Sequence, residues 1–164
     1  AVAIMLNGSM PSRMEGNLAR LREVNCFDFF PADRPSSVPE HVPEAIARAF
    51  IQAEDAIKRQ HWEAAGAMDR RALEISTKEM APEHAGLSLY KRIEKLAEAG
   101  KLTPSLKEWA HDLRIVGNGA LHEIDGLTED EAKQAHELAR FVLTYLYTLP
   151  AQVAEARRAR ESGD

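Results

Sequence analysis

The chain has 164 residues, 45% of them hydrophobic and 29% charged, which is typical of a globular domain and excludes a wholly disordered chain. Its formal net charge of -5 disfavours a general polyanion binder, since duplex-binding proteins usually carry a cationic excess. A single cysteine, Cys26, excludes an internal disulfide, and no apolar run approaches the roughly 20 residues that a membrane span needs. We therefore expect a soluble cytoplasmic domain that does not bind a membrane.

Residues 1–36 show no sustained helical or strand period, and glycines and prolines interrupt them repeatedly. Within this stretch Val24–Phe30 is compatible with a short strand, and its phenylalanines would anchor the segment to the rest of the chain. We predict an irregular N-terminal arm over residues 1–36, followed by one helical domain over residues 37–162.

From Pro43 onwards, apolar residues recur at the spacing of an amphipathic helix, and the pattern predicts about five helices. Because the connections are short, we expect an all-α fold in which these helices form a bundle. The predicted core-facing residues are Ile46, Ala49, Phe50, Ala53 and Ile57 in the first helix, Trp62, Ala65, Met68, Ala72 and Ile75 in the second, Leu89, Tyr90, Ile93, Leu96 and Ala97 in the third, Leu106, Trp109, Ala110 and Leu113 in the fourth, and Ala135, Leu138, Val142, Tyr145, Leu146 and Leu149 in the fifth.

Several helix ends can be predicted from local chemistry. Gly100 occupies the position of a left-handed C-terminal cap. Thr103 followed by a proline is typical of an N-cap and a first helical turn. Thr128 and Glu131 have the spacing of a capping box. The fourth helix is expected to reach Gly117 and to end or distort there, because glycine costs about 1 kcal/mol inside a helix.

Pro150 is expected to kink or interrupt the last helix, since proline lacks the N–H that a helix interior requires. Val153 could continue the apolar stripe beyond it. The final basic run, from Arg157 to Arg160, is compatible either with a solvated helix end or with a patch that binds phosphate groups.

The segment between the fourth and fifth helices carries the most distinctive chemistry. Arg114, Asn118 and His122 are spaced by four residues, so they would share one face of a continuous helix. If Gly117 breaks the helix, the three could still converge at a helix end. Imidazole titrates near neutral pH, and guanidinium matches the geometry of phosphate. Such a trio could cleave RNA without metal, with His122 moving the proton and Arg114 stabilising the charge on phosphorus.

A purely structural interpretation of the same segment also stands. The glycines around Asn118 could form a helix cap, and His122 could bond a carbonyl within a tight turn. Arg114 could then pair with a carboxylate such as Glu74 or Glu123.

Two charged residues of the second helix are further candidates. Arg71 and Glu74 lie three residues apart, which favours an ion pair and leaves a supporting role at the site as the alternative. The other histidines show no ligand spacing, and the chain contains no glycine-rich nucleotide-binding loop. We therefore expect neither a metal nor a cofactor.

Several segments, taken in chain order over roughly residues 37–160, resemble the bacterial domain of unknown function (DUF) 4145 family. That family looks like a branch of the HEPN (higher eukaryote and prokaryote nucleotide-binding) helical domains. The resemblance implies a helical bundle, homodimerisation and a nucleic-acid context, since several HEPN domains are metal-independent ribonucleases in toxin, phage-defence and RNA-processing systems. The segments are Val38–Pro43, Arg71–Glu74, Leu89–Leu96, Leu113–Glu123 and Leu146–Pro150.

In the ribonuclease members of that superfamily, four to six residues separate the arginine from the histidine, whereas seven separate Arg114 from His122. This wider spacing, with the acidic net charge, favours a dimerising interaction module in a nucleic-acid-related or defence context. A second copy of the chain and RNA are the expected partners, and the sequence identifies no protein partner. The alternative is a metal-independent endoribonuclease that uses Arg114, Asn118 and His122 at a dimer interface, supported by Arg71, Glu74 and Glu123.

Overall fold

The computed structural model describes residues 38–113 and 126–161. In these two ranges the chain is all-α, without a strand, and the predicted helical bundle is confirmed. The predicted N-terminal arm and its short strand lie outside the described residues. None of the described helices is both long and apolar enough to cross a bilayer. The helices are α1 (Glu44–Lys58), α2 (Trp62–Met80), α3 (Leu89–Glu98), α4 (Pro104–Asp112), α5 (Glu129–Leu143) and α6 (Leu149–Glu161), with a π turn (Thr144–Thr148) that joins α5 to α6 in one continuous helix.

The core forms around α2, which packs against α1, α3 and α5. The prediction that Ile46, Phe50, Ile93 and Leu138 face the core is confirmed, since each is completely buried, as is Leu73 of α2. Burying one such side chain stabilises the fold by about 1.5–3 kcal/mol. Because these residues come from four different helices, their burial fixes the helices against each other.

The buried face of α2 is more polar than its apolar stripe predicts. Met68 and Ile75 are half-buried, whereas Asp69, Ser76 and Thr77 are completely buried. The reason is that α2 contacts three helices, so a wider sector of its surface loses solvent than one amphipathic stripe covers. Polar groups in such a sector need partners inside the protein.

The predicted C-terminal cap of α3 is confirmed. Gly100 has a φ of 71°, and the N–H of Lys101 donates to the carbonyl of Leu96 over 2.8 Å. Gln60 takes the same left-handed position after α1, with a φ of 60°. A residue with a Cβ is strained there, because the left-handed region costs roughly 1–2 kcal/mol outside glycine.

Both predicted N-caps are also confirmed. The Thr103 hydroxyl accepts the N–H of Leu106 over 3.2 Å at the start of α4. At the start of α5, the Thr128 hydroxyl accepts the N–H of Glu131 over 3.3 Å, and the Glu131 carboxylate accepts the N–H of Thr128 over 2.9 Å. These bonds satisfy amides that a helix start leaves without partners.

The prediction that the fourth helix reaches Gly117 is wrong. The last residue of α4 is Asp112, and Leu113 is extended, with φ of -84° and ψ of 124°. The Leu113 side chain packs in the main core, and this burial stabilises the extended backbone at the end of α4.

The last helix does not stop at Pro150. The preceding turn widens instead, and the N–H of Leu149 donates to the carbonyl of Thr144, five residues earlier. Such a turn relieves the clash that a proline ring makes with the carbonyl of the preceding α-turn. The predictions that Tyr145 and Leu149 face the core are wrong, since both are exposed. The π turn holds an additional residue, so Leu149 is rotated away from the core-facing stripe of α5.

Candidate functional site

The segment from Arg114 to Glu123, which we call the signature segment, lies between α4 and the loop that precedes α5. Arg114, Asn118, His122 and Glu123 themselves lie outside the described residues. On one side α4 ends before Arg114, so a single helix that runs from α4 through His122 is excluded. On the other side Gly126 has a φ of 53° and lies against the side chain of Glu63 at the start of α2. A Cβ at Gly126 would come within 2.5 Å of that carboxylate.

The predicted pair of Arg71 and Glu74 does not form. Arg71 is exposed, and the Glu74 carboxylate instead has Arg70 Nε and Lys78 Nζ at 3.4 Å. Both partners lie four residues from Glu74 on α2, the spacing at which side chains on a helix meet. A third cation, Arg92 of α3, lies 3.9 Å away. Glu74 therefore lies among three cations and holds α2 to α3.

Arg92 is a buried guanidinium that fastens α3 to α2 and to the loop between them. Its Nε donates to the Thr77 hydroxyl over 3.0 Å, and its Nη1 donates to the carbonyl oxygen of Leu87. Its Nη2 makes no hydrogen bond. Burial lowers the pKa of Arg92, and the Glu74 charge opposes that shift. The sequence does not predict a buried Arg92, because arginine interrupts the apolar spacing of α3.

A carboxyl–imidazole pair lies in the core between α2 and α5. Asp69 Oδ1 lies 2.9 Å from His136 Nδ1, and the His136 ring stacks on Phe50 of α1 with centroids 4.2 Å apart. Asp69 Oδ2 makes no hydrogen bond. Burial raises the pKa of the Asp69 carboxyl, and the hydrogen bond and charge of His136 oppose the rise. Because both groups are buried among helices, the pair acts as a tie between α1, α2 and α5.

From the sequence, His136 is one of several scattered histidines, and its pairing with Asp69 is not predicted. The available signal was the position of Asp69, four residues after Ala65 and three before Ala72 on the buried face of α2. Among the residues that the structure describes, no three His, Cys, Asp or Glu side chains are grouped as metal ligands would be.

The most distinctive exposed surface lies on the continuous helix formed by α5, the π turn and α6. Four large apolar side chains, spaced by four residues, are exposed there, and we call them the apolar row. Single exposed apolar residues are common, but a contiguous set marks an interaction surface. The row consists of Phe141, Tyr145, Leu149 and Val153, which keep 39%, 36%, 39% and 51% of their surface accessible.

The model of one protein family, a domain of unknown function (DUF4145), matches residues 51–159, more than half of the chain. The chain belongs to the DUF4145 family. No curated protein and no solved structure matches it. The DUF4145 match contains the signature segment, the buried Asp69–His136 pair and the whole apolar row.

Glu40 and His41, which precede the DUF4145 match, contact the π turn and the first part of α6. The Thr148 hydroxyl donates to the carbonyl oxygen of Glu40 over 2.6 Å, and Gln152 Nε2 donates to the Glu40 carboxylate over 3.4 Å. His41 Nε2 lies 3.6 Å from the Glu155 carboxylate. These contacts fix the direction in which α6 leaves the bundle, and therefore the direction in which this DUF4145 domain presents its apolar row.

Proposed function

We propose that this DUF4145 domain is a dimerising interaction module of HEPN-like architecture that acts in a nucleic-acid-related or defence context. The observation that carries the proposal is α6, a helix of 13 residues with no buried residue, which extends the apolar row. The end of the continuous helix therefore has no packing against the described part of its own bundle, and a large exposed apolar face favours association. A second copy of the chain would supply the missing packing.

The HEPN-like part of the proposal rests on the all-α bundle and on the sequence from Arg114 to His122, which joins two of its helices. The nucleic-acid part rests on Arg157, Arg158 and Arg160, which are all exposed near the end of α6. Guanidinium groups match the geometry of phosphate oxygens. Since the net charge is -5, contact with a nucleic acid has to be local to such a patch.

The dimer is tested by measuring the mass of the full chain in solution by light scattering over a range of concentrations. We expect a mass of two chains, and a mass of one chain for the Leu149→Asp variant. Ile51→Asp is the matched control, since Ile51 has nearly the same exposure, 38% against 39%, but lies on α1. A wild-type chain that stays monomeric at every concentration would contradict the proposal.

The nucleic-acid context is tested by titrating single-stranded RNA at several salt concentrations. Three phosphate contacts give a slope of about -2 in a plot of log affinity against log salt. We expect such a slope for the wild type and a slope nearer to zero when Arg158 and Arg160 are replaced by alanine, a change that leaves Arg157 in place. Absence of salt-dependent binding would remove the nucleic-acid part and leave the dimer intact.

A metal-independent endoribonuclease is the second candidate, because Arg114, Asn118 and His122 supply the cation, the amide and the titratable imidazole that such cleavage uses. It predicts RNA cleavage that persists in EDTA and is lost in His122→Ala. His61→Ala is the matched control, because His61 is an exposed histidine at the start of α2. Cleavage that is unchanged in His122→Ala would rule this activity out for the trio.

A further inference from the structure

We propose that the apolar row binds the same row of a second copy of this chain in an antiparallel register, with Glu137 of one copy facing the partner's Arg157. The inference rests on the dimer proposed above and specifies which surface forms it and in which direction. It follows from charge and spacing along one helix.

The apolar row is bounded by opposite charges at the same spacing. Four residues before Phe141 lies Glu137, and four residues after Val153 lies Arg157, and both are exposed. At this four-residue spacing the helix therefore carries an acid at one end, a base at the other and a large apolar side chain at each of the four positions between. Its six positions are Glu137, Phe141, Tyr145, Leu149, Val153 and Arg157.

The π turn keeps these positions on one side of the helix. In an α-helix each step of four residues advances the side-chain direction by about 40°, so five such steps would spread the row over about 200°. Because the π turn contains one additional residue, the side-chain direction rotates backwards by about 60° from Tyr145 to Leu149, whereas it rotates forwards at the other steps. The six positions then fall within a sector of about 100°, which is the width of an amphipathic face.

An antiparallel pair of such helices is complementary to itself. Positions whose residue numbers have the same sum lie at the same height along the antiparallel pair, so Glu137 is level with the partner's Arg157, Phe141 with the partner's Val153, and Tyr145 with the partner's Leu149. Each contact occurs twice, as an isologous interface requires. A parallel pair would instead bring Glu137 against the partner's Glu137, and like charges disfavour that register.

The carboxylate of Glu137 is already held beside the row. It accepts hydrogen bonds from Arg140, whose guanidinium lies 4.7 Å from the centroid of the Phe141 ring. From Glu137 to Arg157 the helix is about 30 Å long, and one helix face of that length is smaller than a standard interface of about 800 Å² per partner. We therefore expect a reversible dimer with a Kd on the order of micromolar, in which charge sets the register.

The test is a set of charge reversals in the full chain, with the dimer Kd measured by sedimentation. Glu137→Arg alone and Arg157→Glu alone each place two like-charge pairs in the dimer, and we expect each to weaken it about tenfold or more. An equimolar mixture of the two variants restores both opposite-charge pairs and so restores the dimer. The double variant on one chain restores it as well.

Arg158→Glu is the matched control, because it makes the same charge change on α6 about 100° away from Arg157. We expect it to leave the dimer Kd within about twofold of the wild type. Rescue in the mixture shows in addition that both single variants are folded.

The outcomes separate the two proposals. A dimer that none of the reversals at Glu137 and Arg157 weakens would overturn the antiparallel register and leave the dimerising function standing. Weakening without rescue in the mixture would also overturn the register. A wild-type chain that is monomeric throughout would overturn both.

Discussion

Asp69 shows how single residues of this domain are constrained by the core around them. It is completely buried, and only one of its two carboxylate oxygens has a hydrogen-bond partner. An ionised carboxyl in this position has lost its hydration, so the charged form is disfavoured and the pKa is raised. His136 limits the rise, because its hydrogen bond and its charge favour the ionised carboxylate.

The first prediction follows from the raised pKa of Asp69. The folded chain holds the Asp69 proton more tightly than the unfolded chain, where the pKa is about 3.9. The resulting stabilisation is fully present below that pH and is lost as the pH rises through the folded-state pKa. We therefore expect the unfolding free energy of the wild type, relative to Asp69→Asn, to decrease with rising pH in this window. Urea denaturation at successive pH values measures the difference.

The exposed Asp55→Asn variant is the control for this measurement, because Asp55 keeps more than half of its side-chain surface in solvent. A difference between wild type and Asp69→Asn that stays constant from roughly pH 3 to pH 7 would show that the folded core does not retain this proton.

The second prediction concerns Arg92, whose guanidinium bonds Thr77 and Leu87 from a buried position. Arg92→Lys keeps the charge but not the planar fork, so at least one buried oxygen loses its donor. We expect a loss of about 2 kcal/mol or more in unfolding free energy, measured by chemical denaturation. Arg71→Lys, an exposed change on α2, should stay within about 0.5 kcal/mol of the wild type. Equal effects of the two substitutions would contradict the buried role of Arg92.

At the scale of the helices, the helix ends that the sequence predicts correctly are those that depend only on residues a few positions from the end. The caps at Gly100, Thr103 and Thr128 depend on one side chain and the backbone next to it, and all three form. The end of α4 at Asp112 depends instead on where the Leu113 side chain finds core contacts, which a local pattern does not contain. The π turn was missed for the same reason, since Pro150 predicts a disturbance but not its form.

The third prediction concerns the end of α1. Gln60 has a φ of 60°, a conformation in which glycine is free of the strain that a Cβ causes. We expect Gln60→Gly to raise the unfolding free energy by up to about 1 kcal/mol, which calorimetry detects as a higher Tm. Gln52→Gly, within α1, should lower it by about 1 kcal/mol. A destabilising effect at both positions would contradict a left-handed Gln60.

At the scale of the whole molecule, the sequence could not separate an apolar face that the chain buries from one that it leaves exposed. Tyr145 and Leu149 have the spacing of core residues and were predicted as such, yet both are exposed. The spacing of apolar residues shows that a helix has an apolar side, but it does not show whether that side is buried. The site proposed at Arg114, Asn118 and His122 stays a prediction that rests on the sequence alone.

The fourth prediction uses the dimer as a source of stability. If folding is coupled to association through α6, the Tm of the wild type rises with protein concentration, because mass action favours the folded dimer. We expect this dependence to disappear in Leu149→Asp and to persist in Ile51→Asp. Calorimetric scans over a hundredfold range of concentration provide the measurement. A Tm that is independent of concentration in the wild type would contradict the coupling.

The π turn between Thr144 and Thr148 has a consequence for changes in chain length. It corresponds to a one-residue insertion that the helix accommodates as a wider turn, so the helix continues beyond it along the same axis. Removal of one residue there can return the turn to ordinary α geometry with Val153 still on its present side. A residue inserted within α6 cannot be accommodated in this way. It would rotate all later side chains by about 100° around the helix axis. Shortening at this turn should therefore be tolerated more easily than lengthening beyond it.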